Sequence, residues 1–283
     1  MFKQQGTASA SEPVSPAVAV PTTELTSTYT ATTTPPPTTT SALPLPTGEA
    51  ALGQNRIYAN FDAGLAKQQC NPPGWPSDEA AAQIFYQAAI LCLDNAWKPL
   101  ITAVGMKFRS PKLSITKNCG DTPVGSGGYS ASYCTEHDTL YMPVKGMPPE
   151  KYGDKAIIYL STLAHEYGHH IQHLIGTSSE WYSRALVVGE QSAKGLELSR
   201  RSELQAQCFS GMFVGSVIDT GGRFTVADYQ IALGDNAKRG DWDSNLPRSH
   251  GTSEHSGSWW DHGYRLNKIG ECNTWLSPAS DVS

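Results

Sequence analysis

Two histidines with three residues between them, and a glutamate directly after the first, stand at His165-Glu166-Tyr167-Gly168-His169. On an α-helix a spacing of four places both imidazoles on one face, one turn apart, so both reach a single cation. Glu166 is rotated away from that face and meets the ion's water rather than the ion. That is the position a general base for a zinc-activated water must occupy. The pattern has the H-E-x-x-H form. Its surroundings, Ala156 to Ile175, are apolar and hold no charged residue besides Glu166. Burying two histidines and a glutamate in such a helix is costly unless a metal offsets it.

Two histidines leave zinc one protein ligand short, because catalytic zinc usually has three and a water. A third histidine in the longer H-E-x-x-H-x-x-G-x-x-H form is excluded, since Gln172 and Ile175 stand where Gly and His would fall. His173 continues the face, yet one straight helix does not wrap three ligands around an ion. His170 and His173 are therefore read as surface or supporting groups. The third ligand is expected from a second helix packed on the first. Glu203, in the apolar amphipathic segment Ser202-Glu-Leu-Gln-Ala-Gln-Cys208, is the best candidate. Glu197 and Glu190, in more polar sequence, are its competitors.

The elements that must hold these residues follow from capping and periodicity. Ser77 is placed to cap a helix from Ala80 that ends before Pro99. Leu113 to Thr116 alternates as a short strand. A turn at Gly125 to Gly128 leads to strands at Tyr129 to Tyr133 and Thr139 to Met142. Asp154 is expected to cap the metal-motif helix, which stops at Gly176. Further helices are expected over Leu198 to Val217, Thr225 to Ala237 and Ser253 to Ile269. The fold class is α+β, mainly helical with a small sheet.

The chain resembles the bacterial neutral zinc metallopeptidases, recognised by A-H-E-x-G-H-H followed by E-L-Q-A-D-C. The first motif reads Ala164 to His170 here and the second Glu203 to Cys208. The family's G-x-x-Y-C and D-x-x-Y elements look like Tyr129 to Cys134 and Asp138 to Tyr141. Its H-G-[ST]-S segment matches His250-Gly251-Thr252-Ser253, ahead of Trp259. Over roughly residues 50 to 275 the resemblance implies a zincin-type domain with one zinc ion per chain. It implies His165, His169 and Glu203 as ligands and Glu166 as base. Two departures stand out. Gln207 replaces the family's usual Asp, which is well placed to accept a hydrogen bond from a metal-bound histidine. His255-Ser256 stands where the family often carries Gln-Arg.

The activity expected is hydrolysis of a peptide or protein substrate. His250 is the first choice to stabilise the oxyanion, ahead of His255, His262 and Tyr264. The strand at Thr139 to Met142 is expected to offer its edge to an extended peptide. The main rival is a zinc-stabilised but inactive binding module, which Gln207 favours. A second rival is a metal-free, adhesin-like surface protein.

Composition bounds these readings. In 283 residues the net charge is −5, with no basic block, so nucleic-acid binding has no electrostatic footing. No run of eighteen apolar residues exists to span a bilayer, and no secretory h-region follows Met1. Residues 1–48, rich in Thr, Pro and Ser, are expected to be a disordered linker or stalk, and residues 49–283 the folded domain. Such stalks tether external domains to cell surfaces. Of six cysteines, Cys119 and Cys134 bracket a Gly-rich stretch; Cys70 with Cys92 and Cys208 with Cys272 complete the expected disulfides. An extracytoplasmic, oxidising location is expected.

Overall fold

The computed structural model describes residues 43–75, 78–120, 131–144, 153–241, 245 and 247–283. The expected N-terminal stalk before Leu43, the Ser77 cap and the Gly125 to Gly128 turn lie outside the described residues. The fold is α+β and mainly helical: α1 (Glu79–Ala103), a small sheet, α2 (Ala156–Leu174), α3 (Thr177–Val188), α4 (Ala193–Val217), α5 (Val226–Asn236) and α6 (Ser253–Leu266).

Helix α1 is capped by Asp78, whose carboxylate accepts the Ala81 N–H, and it runs through Pro99 rather than ending before it. Proline removes one backbone bond. Burial of Leu100 and Ile101 beyond it outweighs that loss. Helix α2 begins beside Lys155, with no side-chain cap, so Asp154 does not cap it. Helix α4 begins well before Leu198, because the Ser192 hydroxyl accepts the Gly195 N–H. Helix α3 was not expected at all: only Thr177 and Ala185 are buried along it, so it lacks the apolar stripe that marks a surface helix. Helix α6 stops at Leu266, earlier than Ile269, where Asn267 turns left-handed at φ 47°.

The three strands, β1 (Lys112–Ser114), β2 (Ser132–Cys134) and β3 (Thr139–Tyr141), form a sheet in the order β1-β3-β2. β1 lies parallel to β3 with Leu113 opposite Leu140, and β2 lies antiparallel with Tyr133 opposite Leu140. β3 is therefore the central strand. The expected open edge at Thr139 to Met142 is occupied on both sides, and among the described residues the edge strands are β1 and β2.

The core lies between α1, α2, α4 and the sheet, around Trp97, Tyr159, Tyr167, Phe209 and Phe213. Helix α4 packs most extensively on α6 and α2. The α4–α6 crossing is close enough that a Cβ on Gly211 would meet the Trp260 carbonyl oxygen at 1.9 Å. A buried polar node ties four helices together. The Trp260 indole N–H on α6 lies 3.1 Å from Ser161 Oγ on α2 and 3.2 Å from Ser210 Oγ on α4, and Asn236 on α5 donates to Ser161. Disulfides join Cys70 to Cys92, Cys119 to Cys134 and Cys208 to Cys272, the three pairs expected. Three such bridges point to an oxidising environment. No helix among the described residues is long and apolar enough to cross a membrane.

Candidate metal centre

The motif histidines project from α2 toward α4. Gly168, between them, faces Ala206: a Cβ on Gly168 would stand 3.0 Å from the Ala206 Cα and carbonyl oxygen. A side chain there would push the two helices apart by a few tenths of an ångström, and their nearness carries a glutamate of α4 to the histidines of α2. Glu203 Oε2 lies 3.3 Å from His165 Nε2 and 3.4 Å from His169 Nε2. With metal–ligand bonds of about 2.0–2.1 Å, neighbouring vertices of a tetrahedral zinc sphere lie about 3.3–3.4 Å apart. The donor set, two imidazoles and a carboxylate on separate helices, is one zinc accepts. The competing glutamates are engaged elsewhere or remote. Glu197 pairs with Lys194 and Arg201, and Glu190 is exposed between α3 and α4.

Glu166 belongs to the same cluster, with one ligand atom each of His165, Glu166 and His169 lying within 4.8 Å of one another. It is buried and lines the cleft on both sides of the histidines. The electrostatics suit a cation. Burial opposes charge on His169, yet the neighbouring Glu203 and Glu166 carboxylates lift its pKa to about 9. Burial alone would raise Glu203, but His169 and His165 hold its carboxyl well below the usual range.

The two histidines are supported unequally. His169 Nδ1 lies 2.9 Å from Gln172 Oε1, so its N–H is fixed there and Nε2 is left free to bind. Gln172 is itself locked: its amide donates to the Ser202 carbonyl and to Gln205, and its Oε1 accepts from the Ser202 hydroxyl. The sequence reading used Gln172 only to exclude a third histidine. Its position three residues beyond His169, on the same helical face, was the available signal. His165 Nδ1, by contrast, is buried without a partner, and so is the Gln207 Oε1 atom. Gln207 instead donates through its amide to Ser256 Oγ at 2.6 Å.

His170 is fully buried, not on the surface, and ties α2 to the sheet. Its Nε2–H donates to the Arg109 carbonyl at 2.9 Å, and its Nδ1 lies 3.2 Å from the Tyr133 hydroxyl. The Asp138 carboxylate, 3.0 Å from Nδ1, favours a charged ring. Burial wins and holds His170 near 4, because Asp138 already accepts from Tyr133 and pairs with Arg109. His173 lines the cleft beside Tyr133, whose ring lies 6.0 Å away.

His250 reaches the rim, its Nε2 3.9 Å from Glu203 Oε2 and its side chain 57% exposed. The other oxyanion candidates lie elsewhere. His255 Nδ1 contacts the Ser283 carbonyl oxygen, His262 pairs with Glu271, and Tyr264 stacks on Tyr229. Two hollows, of about 800 and 860 Å³, meet at His165, Glu166, Glu203 and His250, with Ala131 lining both. The first is walled by β2 on one side and α3 on the other.

A family model described as "Putative neutral zinc metallopeptidase" matches residues 57–275 of the chain. Two curated relatives, both named "Uncharacterized protein YpfJ", come from Escherichia coli strain K12 and E. coli O6:H1 strain CFT073. Each is 28% identical over 225 residues, covering 74% of this chain and 77% of the relative. No solved structure matches.

Proposed function

Because the chain belongs to the neutral zinc metallopeptidase family, we propose that it hydrolyses peptide bonds at this cleft, with one zinc ion held by His165, His169 and Glu203. The observation that carries the reading is the single Glu203 oxygen at bonding-sphere distance from both Nε2 atoms, presented by a different helix. Zinc bound there supplies Lewis acidity, polarising the scissile carbonyl and acidifying a water. Glu166 takes the water's proton on its carboxylate and returns it to the departing amine nitrogen. His250, exposed at the rim, donates to the developing oxyanion. The free edge of β2 pairs with the substrate backbone and orients it. Gln172 keeps the His169 lone pair on the metal side. The three disulfides support an extracytoplasmic working place, and the N-terminal Thr/Pro-rich segment is read as a tether to a cell surface.

The test is metal content together with cleavage. Purified protein should hold one zinc per chain, and should cleave a proteome-derived peptide library in a way that chelator removes and added zinc restores. Absence of stoichiometric zinc would end this reading. One observation favours the rival inactive module: His165 Nδ1 is buried without a partner, while Gln207, which lines the same hollow, leaves its Oε1 unpartnered as well. Zinc without Glu166-dependent cleavage would select that rival.

Two predictions arise here. In the metal-free protein His169 keeps its proton up to a pH of about 9, and a ligand must lose its proton to bind. Zinc affinity should therefore climb by up to about tenfold per pH unit from pH 6 and flatten above about 9. Competition with a chromophoric chelator measures this, and a flat profile from pH 6 to 8 refutes it. The second concerns Gln207→Asp. An Asp carboxylate in the hollow that residue 207 shares with His165, reaching the bare Nδ1, would give its N–H an anionic acceptor, as Gln172 gives His169 a neutral one. Restoring such a partner should raise zinc affinity or kcat/KM by about 10–100-fold. Unchanged values in both would show that position 207 does not act on His165.

A further inference from the structure

Helix α3 carries its side chains the wrong way round for a structural helix. Its charged residues face the body: Glu180 accepts the Gly48 N–H, and Arg184 pairs with both Glu180 and Glu49. Its large apolar residues face outward. Tyr182, Leu186, Val187 and Val188 are 47%, 55%, 84% and 42% exposed, four of the twelve exposed large apolar residues among the described ones. A helix of twelve residues holding a third of them marks a contact surface rather than scattered exposure. Ser178, Tyr182 and Leu186, spaced at four, form one stripe, and it lines the hollow that opens from the metal centre. Trp181 joins it, edge-on to Tyr182 at 5.8 Å. The hollow on the other side of the metal centre is the more polar, lined by Gln230, Asp235, Lys238 and Arg239 together with Ile158 and Ile231.

We propose that the Trp181–Tyr182–Leu186 face of α3 is a specificity wall that receives a large apolar or aromatic side chain on the amino-terminal side of the cleaved bond. The assignment rests on the peptidase reading above. The side follows from strand direction. Ala131 lies at the junction of the two hollows, whereas Tyr133, Thr135 and Glu136 line only the α3 hollow, so β2 runs away from the metal centre along α3. Antiparallel pairing is the more stable mode. A peptide paired that way enters over Glu136 and leaves over Ala131. Its residues before the scissile bond then lie between β2 and α3, and those after it face the polar hollow.

The experiment uses zinc-loaded full-length protein and a proteome-derived peptide library, with quenched peptides carrying Leu, Phe or Ser before the cleaved bond. Leu and Phe should be enriched there. In Leu186→Ala and Tyr182→Ser, the ratio of kcat/KM for the Leu peptide over the Ser peptide should fall by about tenfold. Val187→Ala, on the same helix but outside this hollow, should leave the ratio alone. Cleavage with no apolar enrichment, or an enrichment that survives both wall variants, overturns the proposal. A binding readout separates it from the peptidase reading. Equilibrium binding of the uncleaved Leu peptide to Glu166→Gln protein should weaken about tenfold with Leu186→Ala added. If no peptide is cleaved but that binding difference holds, the wall stands and the peptidase reading falls. Equal binding with and without Leu186 sinks the wall.

Discussion

Glu166→Gln is expected to keep one zinc per chain and to lower kcat/KM for every peptide by about 10²–10⁴-fold. The amide preserves the shape of the side chain but cannot take a proton from water or carry it to the leaving nitrogen. Zinc retention is the other half of the prediction, because Glu166 shares a cluster with the two histidines and its role as base must be told from a role as ligand. Glu203 stands 3.3 and 3.4 Å from the two imidazole nitrogens, and in the proposed site it completes the ligand set without Glu166. Zinc content by atomic emission, measured beside kcat/KM, separates the cases. Lost zinc would make Glu166 a ligand. Near wild-type cleavage with zinc bound would leave the reaction without its proposed base.

How far the sequence could be read differs from element to element. Helix α2 was legible because its apolar period, its motif and the stop at Gly176 agree. Glu203 became a candidate from an apolar segment and a resemblance, and the structure brings it to the histidines. What brings it there, the Gly168–Ala206 approach, depends on two helices meeting and leaves no periodic trace in either one. Helix α3 was invisible for a related reason. Its large apolar residues are mostly exposed, so it has no buried stripe to find. The open edge was assigned to β3 rather than β2 because strand order is set by a parallel β1–β3 pairing, which no local pattern encodes. Pro99 misled because the rule against proline in helices is local, while burial of Leu100 and Ile101 is tertiary. Of four residues weighed for the oxyanion, only His250 reaches the cleft. His255 contacts the Ser283 carbonyl, His262 pairs with Glu271 and Tyr264 stacks on Tyr229 of α5, so all three hold α6 to its neighbours.

The largest stability effect is expected from the bridge behind the metal centre. Cys208 lies on α4, in the turn after Glu203, and Cys272 in the short turn Ile269–Cys272 that follows α6. Both are fully buried, and the bridge closes a sequence separation of 64 residues. Opening a loop of that length returns chain entropy to the unfolded state, worth about 4 kcal/mol. The double variant Cys208→Ala with Cys272→Ala should lose about that much in urea unfolding of the metal-free protein. The zinc-loaded form should recover part of it, since zinc at a hundredfold over its dissociation constant adds about 2.7 kcal/mol to the folded state. The two effects act on different states, the bridge on the unfolded chain and zinc on the folded one. The chelated protein is therefore the sensitive sample. A loss under about 1 kcal/mol there would mean that the unfolded chain stays closed over α5 and α6 without the bridge. A full loss, with zinc binding intact once refolded, would place the bridge's role in restricting the unfolded chain rather than in positioning Glu203.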